Sequence, residues 1–263
     1  MERIRVDAWT LVGTNLAVMV GLLSIAALPS FRTKDPSYVD GLWGLGFVVV
    51  AGSSWLQTEG DATRRALLVG LTTLWGVRLA AYLFWRWRKQ GPDPRYPKLY
   101  GENAPNSRLW LRVFVTQAVI LTLVALPVQL GQLYDGSLTP LNVIGVVLAL
   151  AGIATETAAD GQLTRFKADE ANHGTVMDRG LWAWSRHPNY FGEALTWWGI
   201  GLLAWHNGVT TLGLLGPALI TYFLLTKSGI GPLERQLTQT KPQYADYAAR
   251  TSSFLPRPPR VTA

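Results

Sequence analysis

The residues best suited to chemistry lie between Ser185 and Glu193, in a stretch that reads SRHPNYFGE and directly precedes the apolar run ALTWWGIGLLAW. It combines a guanidinium, an imidazole, an amide, a phenol and a carboxylate, carried by Arg186, His187, Asn189, Tyr190 and Glu193. A helix needs none of these groups to insert into a bilayer, where polar groups are costly. Their concentration at the start of an apolar run therefore predicts a binding site for a polar ligand.

A second set of polar residues closes the preceding apolar run, which ends in GIATETAADGQLTRFK. Glu156 and Asp160 stand four residues apart and share one face of a helix. Acids within a bilayer should face the interior of the bundle or a polar ligand. The alternative is that the helix leaves the membrane near Thr155 and that both acids are solvated. The residues alone leave these two interpretations open.

Cations follow these acids at Arg165, Lys167 and Arg179. Carboxylates that accept hydrogen bonds from amide or hydroxyl groups, next to cations that pair with phosphates, suit a large nucleotide. No predicted strand is followed by GxGxxG, so a soluble type of dinucleotide-binding fold is not indicated. A nucleotide would have to be held between helices.

A third polar group, Gln57 and Glu59, closes another apolar run in the sequence WLQTEG. One interpretation is a solvated helix end. The other is a pair of donors that polarises a substrate carbonyl at the deep end of a pocket. The sequence is equally compatible with both.

Apolar segments must position these groups. The 263 residues are 49% hydrophobic and only 16% charged, with a mean hydropathy of +0.16, whereas soluble domains carry about 25% charged residues. A membrane span needs about twenty mostly apolar residues. Candidate runs cover residues 8–28, 39–57, 64–85, 110–130, 139–159, 190–206 and 209–227. The sequence predicts an all-α, polytopic membrane protein, a seven-transmembrane-helix bundle that forms a single domain over residues 1–263.

The distribution of charge predicts how the chain crosses the membrane. Most lysines and arginines fall between predicted spans three and four, between spans five and six, and in the tail, which predicts a cytoplasmic carboxyl terminus and an external amino terminus. This topology accounts for the net charge of +7, so we expect no nucleic-acid partner. The tail after Phe254 is rich in proline and arginine and should be loosely ordered.

Cysteine is absent from the chain. The protein therefore has no disulfide, no thiolate nucleophile and no cysteine metal site, and the sequence indicates no other metal site. No feature indicates an obligate protein partner.

The order of these motifs resembles the steroid 5-alpha-reductase family, including its bacterial members. The resemblance rests on RHPNYFGE before a Trp-rich span, on the preceding ExxxDGQLxRFK, and on the later KSGIGPLERQL and KPQYADYAARTSSFLP. It is strongest from about Ala149 to Pro256. The amino-terminal half is similar mainly in span count and in WLQTEG, which resembles the family's Gln-Glu element with one extra residue between the two.

The resemblance implies an NADPH-dependent oxidoreductase that acts on a CH-CH group. Such a protein would sit in the bacterial inner membrane, hold NADPH from the cytoplasmic side, and reduce the double bond of an enone. The substrate would be small and hydrophobic, such as a 3-oxo-delta-4 steroid that gives the 5-alpha-reduced product. A protonated Glu59, assisted by Gln57, would stabilise the charge that develops on the carbonyl oxygen.

The resemblance also implies a set of cofactor-binding residues. Glu156 replaces the family's usual asparagine, Asp160 matches its aspartate, and Lys167 stands where a basic residue is usual. Asn189, Gly192 and Glu193 match the later element, and Lys227, Ser228 and Glu234 occupy the corresponding part of the tail. We add four nearby candidates on chemical grounds: Arg179, Arg186, His187 and Tyr190, with Arg165 from the cation group above.

Two other functions remain open. A membrane methyltransferase of the isoprenylcysteine or phospholipid type would use S-adenosylmethionine, and its carboxy-terminal region also resembles RHPxYxG followed by a tail carboxylate. Those enzymes usually carry paired glutamates in the tail, whereas here Glu234 is followed by Arg235. A transporter would line a path open to both sides, whereas here the polar residues cluster on one face. The reductase is therefore the favoured hypothesis.

Overall fold

The computed structural model describes residues 6–93, 95–101, 104–227 and 229–260, and every regular element within those ranges is a helix. In chain order the helices are α1 (Ala8–Thr33), α2 (Val39–Gln57), α3 (Ala62–Gln90), α4 (Arg95–Tyr100), α5 (Asn106–Val124), α6 (Leu126–Leu130), α7 (Pro140–Ala168), α8 (Leu181–Trp184), α9 (Pro188–Ala204), α10 (Gly208–Thr226), α11 (Ile230–Thr240) and α12 (Tyr244–Arg250). The prediction of an all-α protein is confirmed for the part of the chain that the structure describes.

Six of these helices are long and apolar enough to cross a membrane: α1, α2, α3, α5, α7 and α10. They indicate an integral membrane protein. The predicted count of seven spans is not confirmed, because the run 190–206 forms α9, which has only 17 residues. A straight crossing takes about twenty residues, and the polar tip around His206 ends α9 before that length is reached.

Helix ends differ from the predicted spans where polar residues continue a helix. α7 was expected to end at residue 159, but it runs to Ala168 and carries Asp160, Arg165 and Lys167 on its last turns. No proline interrupts this stretch, and basic residues are favourable at a helix carboxyl end. The predicted span 110–130 is divided, because α5 ends at Val124 and Pro127 lies in the first turn of the short α6.

The chain folds into two compact units. Unit 1 consists of residues 1–143 and 200–216, and unit 2 of residues 144–199 and 217–263. Each unit is built from two segments that are separated in the sequence. The expected single domain stays a prediction.

Glycines set the packing of unit 1, where α2 lies against α3. A Cβ atom on Gly44 would lie 2.2 Å from the carbonyl oxygen of Gly76, and one on Gly76 would lie 2.5 Å from the carbonyl oxygen of Gly44. The two backbones are thus nearly in contact. Small residues are common at membrane helix interfaces because they permit this approach.

A buried arginine ties the loops of unit 1 together. Arg64 is fully buried, and its guanidinium donates to the carbonyl oxygens of Leu203 (2.9 Å), Gly136 (3.1 Å) and Ser137 (3.1 Å). Its carbon Cζ lies 5.0 Å from the centre of the Tyr134 ring. A buried charge must be compensated by hydrogen bonds, so Arg64 holds these segments at fixed positions.

In unit 2, α7 and α9 approach each other through glycines. A Cβ atom on Gly152 would lie 2.4 Å from the amide nitrogen of Thr196, and one on Gly192 would lie 2.6 Å from the amide nitrogen of Glu156. This approach brings the polar ends of the two helices side by side.

The expectation of a loosely ordered tail is wrong for residues 255–260, the part of the tail that the structure describes. Phe254 accepts a hydrogen bond from the Ser185 hydroxyl (2.8 Å), and the amide of Arg257 donates to the carbonyl oxygen of Trp184 (2.9 Å). The amide of Arg260 donates to the carbonyl oxygen of Arg250 (2.9 Å). Composition suggested disorder, but these backbone contacts fix the tail against unit 2.

The contact between α2 and α3 predicts the effect of a single methyl group. The substitution Gly44→Ala should lower the free energy of unfolding by about 1–3 kcal/mol, because the new Cβ meets backbone that cannot move aside. The control is Gly52→Ala on the same helix, where nothing lies within 4 Å. Denaturant titration of the purified protein in mild detergent measures both. Equal stability of the two variants would contradict the close contact.

Candidate functional site

The RHPNY segment is held in place by local backbone features. Gly180 has φ 58° and turns the chain into α8, and the backbone is extended again at Ser185. The Ser185 hydroxyl accepts from the amide of His187 (3.1 Å). Pro188 then begins α9, a position where its fixed φ is favourable and its missing N–H costs nothing. Arg186 and His187 therefore stand on a fixed bend directly before the helix.

Arg186 is the centre of the contacts of this bend. Its guanidinium makes a two-point ion pair with Glu234, with Nε–Oε1 at 2.8 Å and Nη2–Oε2 at 3.1 Å. It also donates through Nη1 to the carbonyl oxygens of Ala248 (2.7 Å) and Thr251 (2.8 Å). These four bonds join the start of α9 to α11 and α12. Because they occupy most of its donors, Arg186 acts as a positioning residue here.

His187 belongs to the same cluster. It is almost fully buried, its Nε2 lies 3.1 Å from Glu234 Oε1, and its ring stacks on that of Tyr190 with centres 5.4 Å apart. Burial tends to raise the pKa of Glu234, but the hydrogen bonds from His187 and Arg186 outweigh it and lower that pKa to about 2. The structure thus brings together Arg186, His187, Tyr190 and Glu234.

A second cluster lies where α7 meets α9. Glu156 and Asp160 are 2% and 4% exposed and Glu193 is 9% exposed, so the interpretation of solvated acids at a helix end is wrong. Asn189 Nδ2 donates to Asp160 Oδ1 (3.2 Å). Asn189 Oδ1 is buried and has no hydrogen-bond partner among the described residues. A buried acceptor left without a donor is unfavourable, and it suits a ligand that carries an N–H or O–H group.

The remaining cations lie at the exposed end of α7 and beyond. Arg165 and Lys167 are exposed on its last turns, and Arg179 is exposed with its guanidinium carbon 6.0 Å from the centre of the Phe166 ring. Lys227 ends a π-helical turn over Phe223–Lys227, and its side chain lies outside the described residues, as does Ser228. Arg165, Lys167 and Arg179 are thus exposed, whereas the acids Glu156, Asp160 and Glu193 are buried.

Gln57 lies in unit 1, at the last residue of α2. Its Nε2 donates to the Ser53 carbonyl (3.1 Å) and hydroxyl (3.0 Å), and lies 3.4 Å from Asn15 Oδ1. Asn15 is fully buried and donates to Ser54 (2.9 Å) and Gln129 (3.0 Å). Gln57 therefore stands at the edge of a buried polar network.

Glu59 lies two residues beyond the end of α2 and is exposed. Its exposure agrees with the interpretation of a solvated helix end and not with that of a donor deep in a pocket. The reason is that α2 stops at Gln57, so the next residues follow an extended path from Thr58 instead of a helical one.

Sequence reasoning missed several residues that support these clusters. Asn15 and Gln129 carry amide side chains within predicted apolar runs, a signal that could have found them. In unit 2, Trp182 donates through Nε1 to the Ala159 carbonyl (3.0 Å), and the Tyr247 hydroxyl donates to the Trp182 carbonyl (2.6 Å). Aromatic residues are so common in this chain that nothing in the sequence distinguished these two.

The low pKa of Glu234 predicts acid sensitivity of unit 2. A carboxyl group whose pKa falls from 4.5 to about 2 on folding stabilises the fold fully above pH 4.5, and this stabilisation is lost as the pH falls towards 2. The thermal unfolding temperature in detergent should therefore fall more steeply between pH 5 and about pH 3 for the wild type than for Glu234→Gln. Asp246→Asn, which removes an exposed carboxylate from α12, is the control and should follow the wild type. Parallel profiles for wild type and Glu234→Gln would contradict the ion pair.

Comparison with known proteins gives a partial match to a curated relative. The chain is 34% identical over 94 residues to steroid 5-alpha-reductase DET2 of Arabidopsis thaliana. The match covers 35% of this chain and 32% of that protein, so the chain spans about a third of the length of the curated relative it matches. No solved structure matches.

A family match covers much more of the chain. The family described as "Protein of unknown function (DUF1295)" matches residues 28–251, which include both polar clusters of unit 2 and Gln57, but not its neighbour Asn15. The chain therefore belongs to the DUF1295 family, which is related to the steroid 5-alpha-reductase family.

Proposed function

We propose that this protein is a membrane-bound, NADPH-dependent oxidoreductase that reduces the carbon–carbon double bond of an enone. A 3-oxo-delta-4 steroid, which would give the 5-alpha-reduced product, is the proposed substrate. The observation that carries the proposal is the pairing of Asn189 with Asp160 beside Glu156, which leaves Asn189 Oδ1 as a buried acceptor without a donor. The match to a steroid 5-alpha-reductase supports the choice of reaction class.

The donors and acceptors of unit 2 fit a dinucleotide. Asn189, Asp160 and Glu156 offer acceptors for ribose hydroxyls and for amide N–H groups. Glu193, the next residue after the Gly192 contact, adds a further buried carboxylate. The exposed cations Arg165, Lys167 and Arg179 suit phosphate groups, including a 2′-phosphate.

The contacts of the bend before α9 hold the proposed dinucleotide-binding residues in position. Arg186 and Glu234 hold the segment that carries Asn189, while Tyr190 and His187 stack beside it. Lys227, directly after α10, stays in the proposed set as a further cation. NADPH, when bound, supplies the hydride that adds to the β carbon of the enone.

In unit 1, Gln57 is the proposed donor to the carbonyl oxygen of the substrate, through an N–H that donates to Ser53 when no substrate is bound. Negative charge develops on this oxygen as the β carbon is reduced, and a fixed donor stabilises it until a proton adds at the α carbon. The network of Asn15, Ser54 and Gln129 restricts the amide of Gln57. Since Glu59 is exposed, it is proposed only as an assisting donor.

The membrane setting follows the same proposal. α9 is short, but together with the residues of the preceding bend and of the tip around His206 it would form a seventh crossing. The amino terminus would lie outside and the carboxyl terminus in the cytoplasm of a bacterial inner membrane, where a small hydrophobic substrate enters from the bilayer. The predominance of cations in the predicted cytoplasmic segments supports this orientation.

Binding of NADPH compared with S-adenosylmethionine tests the proposal directly. Purified full-length protein in detergent should bind NADPH, and Asn189→Ala should weaken this binding about tenfold or more, because a buried hydrogen bond to the ligand is lost. Asn207→Ala, at an exposed tip, is the matched control. Fluorescence titration or calorimetry measures the dissociation constants. Tight binding of S-adenosylmethionine without binding of NADPH would instead establish a methyltransferase.

Turnover of a 3-oxo-delta-4 steroid tests the role of the unit 1 residues. Gln57→Ala should slow turnover about a hundredfold, as expected for loss of a donor to a developing oxyanion, while the dissociation constant of NADPH stays the same. Glu59→Gln should spare NADPH binding and slow turnover less. Gln90→Ala, exposed at the end of α3, serves as the control. Mass spectrometry of the product gives the rates, and an unchanged rate in either variant removes that residue from the mechanism.

A further inference from the structure

A cationic cavity lies under the tail of unit 2. Its volume is about 440 Å³, and its lining includes the guanidinium-bearing residues Arg186, Arg250, Arg257 and Arg260 together with Ser252 and Ser253. The tail contacts at Phe254, Arg257 and Arg260 fix the wall of this cavity by backbone hydrogen bonds. Four arginines and two hydroxyl groups around one cavity are a donor set for an anion.

The charge of this cavity is only partly compensated by the protein. Arg186 is paired with Glu234, and Arg250 is paired with Asp178. No carboxylate of the described residues contacts Arg257 or Arg260. Two like charges held near other arginines repel each other, and an anion between them would remove this repulsion.

An apolar cavity shares the tail as a wall. It measures about 390 Å³ and is lined by Leu181, Trp184, Pro188 and Pro256, with Thr155 and Gln162 contributed by α7. Pro256 lines this cavity and the next residue, Arg257, lines the cationic one. Trp184 is 49% exposed, and tryptophan is typical of the boundary between membrane and water.

We propose that the two cavities together bind an anionic phospholipid. The headgroup phosphate lies among Arg257, Arg260 and the serine hydroxyls, and the start of an acyl chain lies against Trp184 and Pro256. Charge complementarity selects an anionic headgroup, and the adjoining apolar cavity selects a lipid over a free phosphate. Neither Asp160 nor Asn189 lines either cavity.

Lipid binding to the full-length protein in a neutral detergent tests this site. Native mass spectrometry should show one dioctanoyl phosphatidylglycerol bound in preference to dioctanoyl phosphatidylcholine, and 1 M salt should weaken the binding. Arg257→Gln combined with Arg260→Gln should weaken it about thirtyfold, because two cations near a membrane surface are lost. Arg32→Gln combined with Arg88→Gln removes two exposed cations elsewhere and should leave the binding unchanged.

Further measurements distinguish binding of a lipid from binding of other anions. Trp184→Ala should weaken the binding of phosphatidylglycerol but not that of glycerol 3-phosphate, which lacks acyl chains. An unchanged thermal unfolding temperature without lipid shows that the arginine variant still folds. Equal binding of the two lipids, equal loss in both arginine variants, or displacement of the lipid by inorganic phosphate or NADPH at the same concentration would each overturn the proposal.

Discussion

The ion pair between Arg186 and Glu234 is the interaction on which the arrangement of unit 2 depends. Its members come from the bend before α9 and from α11, and the remaining donors of Arg186 reach the carbonyl oxygens at the end of α12. A guanidinium that is only 12% exposed must have acceptors. Arg186 therefore fixes the bend before α9 relative to α11 and to the end of α12. Asn189, which follows the bend, takes its position from these contacts.

The close approach of α7 and α9 is the second constraint on the site. In lipid, apolar surfaces gain little by meeting each other, so helix contacts rely on close packing and hydrogen bonds. Gly152 and Gly192 remove the side chains that would hold the helices apart. As a result, three carboxylates are buried beside an amide, an arrangement that neither helix could stabilise alone.

The sequence predicted the helical class and most of the long helices, because apolar length is a direct signal of a membrane helix. The family resemblance also assigned Glu156, Asp160 and Asn189 to one cofactor-binding set, and the structure places Asn189 against Asp160. The sequence placed the sixth apolar run at residues 190–206, and α9 has the same length but begins and ends two residues earlier, at Pro188 and Ala204. The sequence left the exposure of Glu59 open and missed the fixed tail. Both depend on backbone paths and hydrogen bonds to distant residues, which local composition does not encode.

Arg64 has a consequence for the order in which the protein forms. One of its three carbonyl acceptors, Leu203, lies 139 residues later in the chain, in the second segment of unit 1. During synthesis α3 and its arginine are complete long before that acceptor exists, and a charge without its hydrogen bonds is costly inside a bilayer. Unit 1 therefore cannot complete the contacts of Arg64 until residues 144–203 have been made. Although most residues of unit 1 are translated first, its folding is completed late, through a contact between residues distant in the sequence.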